Sequence, residues 1–299
     1  MKPTPAPPSD SEGDRSVRFL FDNADVRGET VHLQASLKDL LETHQYAPGV
    51  ARLLGEFLAA AVLLSTTLKF EGKMILQARS EGQVPLLMAE CSSELKLRAI
   101  ARGAQQATSE EFGTLLARGQ LAITIEPDKG QRYQGIVPLV ENSLSRSLDA
   151  YFLQSEQLYT RFWLTSDGER AAGMLLQQLP AQLQTEEAAR EEQWQHLCSL
   201  ATTLQPAELL GLNAEKLLFR LYHEEPTRVF EPRRPEFSCS CSRQRSLNAL
   251  IAIGPEEVES VLVEQGSITM DCEFCNQRYA FLREDLETLF KPADDSMLH

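Results

Sequence analysis

Two pairs of closely spaced cysteines are the residues of this sequence best suited to do chemistry. Cys239 and Cys241 are separated by one residue, and Cys272 and Cys275 are separated by two. Alternate side chains of an extended segment point to the same side, and a C-x-x-C turn presents two sulfurs to one point. With Zn–S bonds of about 2.3 Å, four sulfurs roughly 3.8 Å apart form a tetrahedral site. The four cysteines are therefore predicted to bind one zinc ion per chain in the reduced protein.

The ligand set indicates a structural or regulatory metal. No histidine occurs from residue 237 until His299, so four sulfurs are the complete set available, and they leave no position for a reactive water. These residues leave two roles open for the metal site: a permanent zinc ribbon or a redox switch. The C-x-C spacing is tighter than that of most zinc pairs, and the neighbouring Arg243 and Arg245 favour charged, oxidisable thiolates. Both features favour the switch.

Other chemistry has little support in the sequence. Cys91 and Cys198 stand alone on apolar patterns and are expected to be buried and inert. The remaining histidines are scattered, and no phosphate-binding loop is present, so we expect neither an enzyme nor a nucleotide site. A nucleic-acid-binding zinc ribbon and a thiol oxidoreductase remain as alternatives. The first could use a run of basic residues, Arg228, Arg233, Arg234, Arg243 and Arg245.

Charge and composition restrict the partners and the compartment. The net charge of −14 repels phosphate backbones, so a nucleic-acid partner is not expected. The longest apolar run, 53–68, contains Glu56 and is short for a membrane span, and no secretory apolar segment opens the chain. Six cysteines are too few for a secreted disulfide scaffold. We therefore expect a cytoplasmic protein without a membrane partner.

Hydrophobic patterning predicts an α+β fold in four parts. A tail rich in proline, serine and charge, 1–16, is expected to be disordered. An α+β core domain is predicted for 17–180, a helical linker for 181–236 and a zinc-binding redox-switch domain for 237–299. Core strands are predicted at 17–21, 29–33, 70–76, 84–89, 95–101, 121–126, 135–138 and 160–165, with helices at 37–41, 50–68 and 145–154. In the last domain, helices ending at Gly254 and Gly266 precede a hairpin, 267–271 and 277–282.

The linker carries two amphipathic helices. Thr185 and Asn213 are predicted to cap them, and each helix has one apolar stripe. The stripes contain Trp194 and Leu197 in the first helix, and Leu217, Leu218 and Leu221 in the second. Because isolated helices of this length are marginal, the stripes must pack on the core, on the cysteine domain or on both. An apolar surface that depends on a neighbour is a candidate for binding unfolded proteins once it is exposed.

Several motifs resemble those of one family, the redox-regulated 33-kilodalton heat shock chaperones. The C-x-C pair followed by MDCEFCNQRYAF (270–281) resembles the C-terminal domain of that family. Further similarities follow in the family's order: RFLFDNADVRGE (18–29), GEFLAAA (55–61), LKFEG (68–72), YQGIVP (133–138), YFLQSEQL (151–158) and RFW (161–163). The resemblance covers nearly the whole chain, apart from the proline-rich tail.

The resemblance implies a function and a mechanism. It implies an ATP-independent holdase that binds unfolding proteins during oxidative and heat stress and is kept inactive by zinc under reducing conditions. Oxidation is then expected to join Cys239 to Cys241 and Cys272 to Cys275, with release of zinc and unfolding of the linker. The active form is expected to be a homodimer.

Overall fold

The computed structural model describes residues 13–67, 71–140, 143–156 and 158–290, without the side chains of residues 156 and 287–290. The chain divides into two compact units, residues 1–238 and 239–299. Each unit is described separately below. The expected disorder of the tail lies outside the described residues for positions 1–12, as do the predicted helix end at Leu68 and strand start at Phe70. The predicted domain boundaries remain a prediction.

The first unit is built from eleven strands among its described residues. They are β1 (Arg15–Phe21), β2 (Val26–Leu33), β3 (Gly72–Arg79), β4 (Leu86–Ser92), β5 (Lys96–Arg102), β6 (Gln120–Pro127), β7 (Tyr133–Pro138), β8 (Thr160–Ser166), β9 (Ala171–Gln178), β10 (Thr227–Val229) and β11 (Glu236–Phe237). A five-stranded sheet has the order β10-β1-β2-β9-β8, and a six-stranded sheet has the order β11-β5-β4-β3-β6-β7. Every neighbouring pair is antiparallel except β11 and β5, which are parallel.

Seven helices accompany these strands in the described part of the unit. They are α1 (Ala35–Thr43), α2 (Pro48–Thr67), α3 (Phe112–Leu115), α4 (Leu144–Tyr151), α5 (Glu187–Thr202), α6 (Pro206–Gly211) and α7 (Ala214–Tyr222). A π-helical turn, Phe152–Glu156, continues α4. The mixed α and β content confirms the predicted fold class at that level.

Helix α2 forms the centre of the first unit and packs on strands of both sheets. Its residues are apolar on nearly every side because both sheets surround it, and Phe57, Leu58 and Leu63 have no exposed surface. Among the described residues it is the one helix long and apolar enough to cross a membrane, and 78% of its apolar stretch is buried within the protein. Core packing therefore accounts for its composition.

Strand β9 was not anticipated from the sequence. Its residues, AAGMLLQQ, lack both the alternation and the β-branched side chains on which strand prediction depends. The strand lies between β2 and β8, and all of its residues except Gln178 are buried. A strand covered on both faces has no polar side to present, so its pattern becomes a continuous apolar run.

The chain becomes ordered earlier than predicted. Disorder was expected up to Ser16, but β1 begins at Arg15, and for the residues from Asp14 onward this expectation was wrong. The Asp14 carboxylate accepts backbone hydrogen bonds from Gln34, Ala35 and Ser36, at 2.7–2.9 Å, at the start of α1. A carboxylate at a helix N-terminus satisfies free amides and complements the helix dipole. This long-range cap is not visible in the local composition.

The segment predicted as a linker packs on the five-stranded sheet, on the face opposite α2. Its buried side chains join residues of β1, β2 and β9 in one apolar cluster. Asn213 caps α7 as predicted, whereas α5 begins after Glu186, so the predicted cap at Thr185 was one residue early. Helix α6 and the strands β10 and β11 were not predicted, since they are too short to give a periodic signal.

The second unit is small and has one compact core. Its described elements are α8 (Arg243–Ile253), α9 (Pro255–Gln265), β12 (Ser267–Asp271), β13 (Arg278–Leu282) and α10 (Arg283–Phe290). The helix ends at Gly254 and Gly266 and the hairpin agree with the prediction; Gly266 has a φ of 75°, the left-handed geometry of a helix C-cap. Within its described residues, the buried apolar side chains are Leu250, Val258, Leu262, Ile268, Phe281 and Leu286.

Candidate metal centre and apolar surface

The C-x-C pair lies on a short arm, residues 239–242, that is neither helix nor strand. Cys239 and Cys241 are the first cysteines of the second unit and precede α8, whose N-cap is Ser242. The Ser242 hydroxyl accepts a hydrogen bond from the amide of Arg245, which fixes where the arm ends and the helix begins. Both cysteine side chains are partly buried.

The C-x-x-C pair occupies the turn of the β12–β13 hairpin. The amide of Cys272 donates to the carbonyl of Gln277 at 2.9 Å, and the amide of Asn276 donates back to the carbonyl of Cys272 at 2.7 Å. Asn276 adopts a left-handed conformation with a φ of 55°, which asparagine tolerates better than most residues. This tight turn directs the Cys272 and Cys275 sulfurs to one side.

The fold brings all four predicted ligands together. The Cys239 and Cys272 sulfurs are 3.6 Å apart, and the Cys241 and Cys275 sulfurs are 3.4 Å apart. All four sulfur atoms lie within 4.8 Å of one another. The separations bracket the roughly 3.8 Å expected around a tetrahedral zinc. Within the described residues this is the one cluster of histidine, cysteine and acidic side chains that could hold a metal ion.

Hydrogen-bond donors also face the sulfurs. The Tyr279 hydroxyl, on β13, donates to the Cys241 sulfur at 3.2 Å. Burial raises the pKa of Cys275, the neighbouring sulfurs raise it further, and the backbone amide of Gln277 lowers it. In this structure the four cysteines are metal-free thiols, which stand in for the thiolates of a metal site. Donors aimed at sulfur are the usual support of metal-bound thiolates, so the residues present fit a zinc ion.

The arginines next to the C-x-C pair contact groups other than sulfur. Arg243 donates to the carbonyl of Ala280 at 2.6 Å, pairs with Asp285 at 2.7 Å, and lies over the Phe281 ring. Arg245 donates to the backbone carbonyl and the hydroxyl of Ser240, both at 2.7 Å. Neither is a cause of the shifted Cys275 pKa. Their visible role is to fix the arm and the hairpin, and the predicted stabilisation of thiolates remains a prediction.

The five apolar residues predicted in the linker lie together. Trp194, Leu197, Leu217, Leu218 and Leu221 are each at most 4% exposed and belong to the cluster on the five-stranded sheet. The sequence interpretation missed three aromatic partners in the same cluster, Phe19, Phe21 and Tyr222, whose rings contact one another. Two patterns could have identified these partners: Phe19 and Phe21 alternate along β1, and Tyr222 lies four residues after Leu218 on α7.

A polar anchor holds the start of the linker. The buried Asp25 carboxylate accepts backbone hydrogen bonds from Gln182, Leu183 and Gln184 and pairs with Arg190 at 3.1 Å. Burial alone would raise the pKa of Asp25, but the three amides and the Arg190 charge lower it below its usual value. Ionised Asp25 therefore stabilises the packed linker. The sequence pattern gave no sign of this anchor.

The two isolated cysteines are buried, as predicted. Cys91 lies on β4 in the main core and Cys198 lies on α5 in the linker cluster. Burial raises the pKa of each thiol to about 12. Because the thiolate is the reactive form, neither residue is suited to rapid oxidation.

Comparisons with known proteins agree on one family. A family model described as Hsp33 protein matches residues 14–282. A protein of Pseudomonas paraeruginosa named 33 kDa chaperonin is 54% identical over 286 residues, which cover 95% of this chain and 96% of the relative. One of the same name from Azotobacter vinelandii is 53% identical over 283 residues, or 94% and 95% of the two chains.

A solved structure shows the same fold. The crystal structure of the 33 kDa chaperonin from Thermotoga maritima matches with a TM-score of 0.78 and covers 92% of this chain and 97% of its own. At 22% sequence identity, this likeness is evidence of the fold alone.

Proposed function

The chain belongs to the Hsp33 protein family, a family of chaperones and not of enzymes, and from that premise we propose that it is a redox-regulated, ATP-independent holdase. The reduced, zinc-bound protein is inactive. The oxidised protein binds unfolding clients and prevents their aggregation under oxidative and heat stress in the cytoplasm, as a homodimer. The observation that supports this proposal best is the convergence of four sulfurs in a unit with a very small core.

Zinc is the proposed occupant of the cysteine cluster, with Cys239, Cys241, Cys272 and Cys275 as its ligands. A structural zinc supplies an apparent binding free energy of about 10–16 kcal/mol, which becomes folding free energy. The six buried apolar side chains in the described part of the second unit form too small a core to replace that contribution. Folding of the second unit therefore depends on the four sulfurs remaining thiolates.

Oxidation removes the ligands. For each pair, two thiolates and one hydrogen peroxide give one disulfide and two hydroxide ions, so two peroxides convert the four ligands into Cys239–Cys241 and Cys272–Cys275. Neither disulfide retains a thiolate for the metal. Such short loops constrain the unfolded chain much less than a long crosslink does, so the disulfides do not restore the folded unit.

The linker is the proposed client-binding surface. Its stripe of Trp194, Leu197, Leu217, Leu218 and Leu221 covers apolar side chains of the five-stranded sheet. Release of the helices exposes two complementary apolar surfaces together, which suits the binding of unfolded proteins. The net charge of −14 helps to keep the resulting complexes soluble.

Metal analysis and disulfide mapping test the switch. We expect one zinc per chain in protein purified with reductant and without chelator, and none after all four cysteines are replaced by serine. Cys91→Ser and Cys198→Ser serve as controls and should keep the metal. After peroxide treatment, bridges should form within each pair, although the shortest sulfur contacts run between the pairs. Zinc that persists in the fourfold serine variant would refute the site assignment.

A further inference from the structure

One short segment covers the whole outer edge of β1. Residues 226–233, here called the edge segment, contain β10 and run antiparallel to β1. The amide of Asp22 donates to the carbonyl of Pro226 at 2.8 Å, and the amide of Phe230 donates to the carbonyl of Arg18 at 2.9 Å. Ser16 and Arg233 exchange hydrogen bonds in both directions, at 2.8 and 2.9 Å. Without the edge segment, β1 is the edge strand of the five-stranded sheet.

The edge segment is held by its backbone more than by its side chains. None of its side chains is buried, and Val229 is 42% exposed. Its ion pair, Arg228 with Asp22, lies at the surface, and such pairs contribute little stability. Further side-chain contacts are the Arg18 guanidinium over the Phe230 ring, a hydrogen bond from Arg233 to the carbonyl of Ser93, and the charge of Arg233 acting on Glu29 of β2. Most of this binding is therefore available to any extended polypeptide.

The position of the edge segment in the chain connects it to the switch. It lies between the linker helices and Cys239, with only residues 234–238 separating it from the C-x-C pair. A weakly held segment stays ordered at low entropic cost while the chain is folded on both sides of it. On its C-terminal side the edge segment is followed by β11, which pairs with β5 in the first unit, so its connection to the switch is through α7 on the other side. When the linker helices are released, the edge segment loses this folded neighbour and frays from its N-terminal end.

We propose that the β1 edge is a docking site for an extended segment of an unfolded polypeptide, and that the edge segment occupies this site in the reduced protein. The inference rests on the proposed redox-regulated holdase function and specifies how that function recognises its clients. Strand addition uses main-chain hydrogen bonds, which every client can make whatever its sequence. An exposed edge strand is in addition a ready template for pairing with another chain.

The side chains of β1 explain why apolar clients are favoured. Val17, Phe19 and Phe21 are buried, and Phe19 and Phe21 belong to the apolar cluster that the linker helices cover. Alternate side chains of an added strand point to the same face of the sheet as these residues. A client segment with alternating apolar residues therefore extends the exposed apolar surface by one strand.

Hydrogen exchange followed by NMR at single residues tests the proposal in the full-length protein. The Ser16 and Asp22 amides donate to the edge segment, so both should exchange slowly in the reduced protein. They should exchange much faster after oxidation, and become protected again when a permanently unfolded, carboxymethylated protein is bound. The amide of Val31, inside the sheet, is the control and should stay protected throughout.

The outcomes separate this proposal from the function on which it rests. If the oxidised protein binds no client, the holdase function fails and strand addition fails with it. If the client is bound while Ser16 and Asp22 continue to exchange rapidly, only strand addition is refuted. Persistent protection of both amides in oxidised, client-free protein also refutes it, since the edge segment would then never leave.

Peptide probes add a test of the backbone hydrogen bonds themselves. A labelled peptide with the sequence of residues 225–234 should bind the oxidised protein and not the reduced protein. N-methylation at Arg228 and Phe230 removes amides that face β1 and should weaken binding at least about tenfold. N-methylation at Thr227 and Val229 is the matched control, because donors alternate along an antiparallel pair. Equal loss of binding in both peptides would overturn the proposal.

Discussion

The sulfur of Cys241 has a neighbour that can control its reactivity. The Tyr279 hydroxyl donates to it at 3.2 Å, from the strand that follows the C-x-x-C turn. A hydrogen bond to a thiolate withdraws electron density from the sulfur and favours its charged, metal-binding form over its attack on an oxidant. Tyr279 is thus placed to slow the oxidation of the C-x-C pair without being a ligand itself.

Removal of this hydroxyl should make the switch more sensitive. We expect Tyr279→Phe to release zinc faster under a fixed dose of peroxide, by roughly three- to tenfold, the effect of one hydrogen bond. A chromogenic chelator measures the rate. Tyr133→Phe, which removes a hydroxyl from β7 in the first unit, should leave the rate unchanged. An unchanged or slower release in Tyr279→Phe would show that the hydroxyl does not protect the sulfur.

The Asp25 anchor predicts a pH-dependent stability. Asp25→Asn should lower the free energy of unfolding by about 1–3 kcal/mol near neutral pH, since it removes a buried charge from its three amides and from Arg190. Because the folded pKa lies below the ordinary value, the stabilisation by Asp25 is complete above that value and is lost as the pH falls through the folded pKa.

Denaturant titrations at several pH values measure this effect. The difference between the wild type and Asp25→Asn should be constant from neutral pH down to about 4 and should shrink in more acidic solution. Asp39→Asn, an exposed position on α1, is the control and should have little effect. A difference that grows on acidification would contradict the assigned role of the ionised carboxylate.

At the level of elements, α7 contains a matched pair of positions. Leu217 is completely buried against the sheet, whereas Phe219, two residues further along the same helix, is 74% exposed. The Leu217 side chain therefore stabilises the packed linker, and the Phe219 side chain does not. Because the proposed mechanism requires release of the linker, weakening its packing should lower the barrier to activation.

Two substitutions in α7 test this relation. Leu217→Ala should destabilise the packed linker by about 2–5 kcal/mol. The peroxide-treated variant should therefore bind clients at a lower temperature than the wild type, as measured by light scattering during client aggregation. Phe219→Ala should behave like the wild type, since exposed positions rarely matter for stability. Equal behaviour of the two variants would mean that linker packing does not limit activation.

The elements also show what the sequence could predict. The cysteine cluster, the hairpin that presents Cys272 and Cys275, and the two stripes of the linker follow from short-range spacing, and the structure brings each set together. Strand β9 was missed because burial on both faces removes the alternation. The Asp25 anchor joins residues 157 or more positions apart, and no local pattern records such a pairing.

At the scale of the whole molecule, the two units differ in how they are stabilised. The first unit surrounds α2 with two sheets and has two extensive apolar clusters. Among its described residues, the second unit has six buried apolar side chains in its core and the four-sulfur cluster. Under the proposed switch, a loss of ligands unfolds the second unit while the first retains its main core. The proposal thereby accounts for a chain that is both stable and switchable.

The most direct test compares reduced and oxidised protein as holdases. Zinc-bound reduced protein should fail to prevent aggregation of a heat-unfolded client, and protein treated with peroxide at raised temperature should suppress it without ATP. Reduction in the presence of zinc should reverse the effect, because the four thiolates again bind the metal and the second unit refolds. Light scattering by the client measures all three states. Suppression by the reduced protein equal to that by the oxidised protein, or a requirement for added nucleotide, would contradict the redox switch.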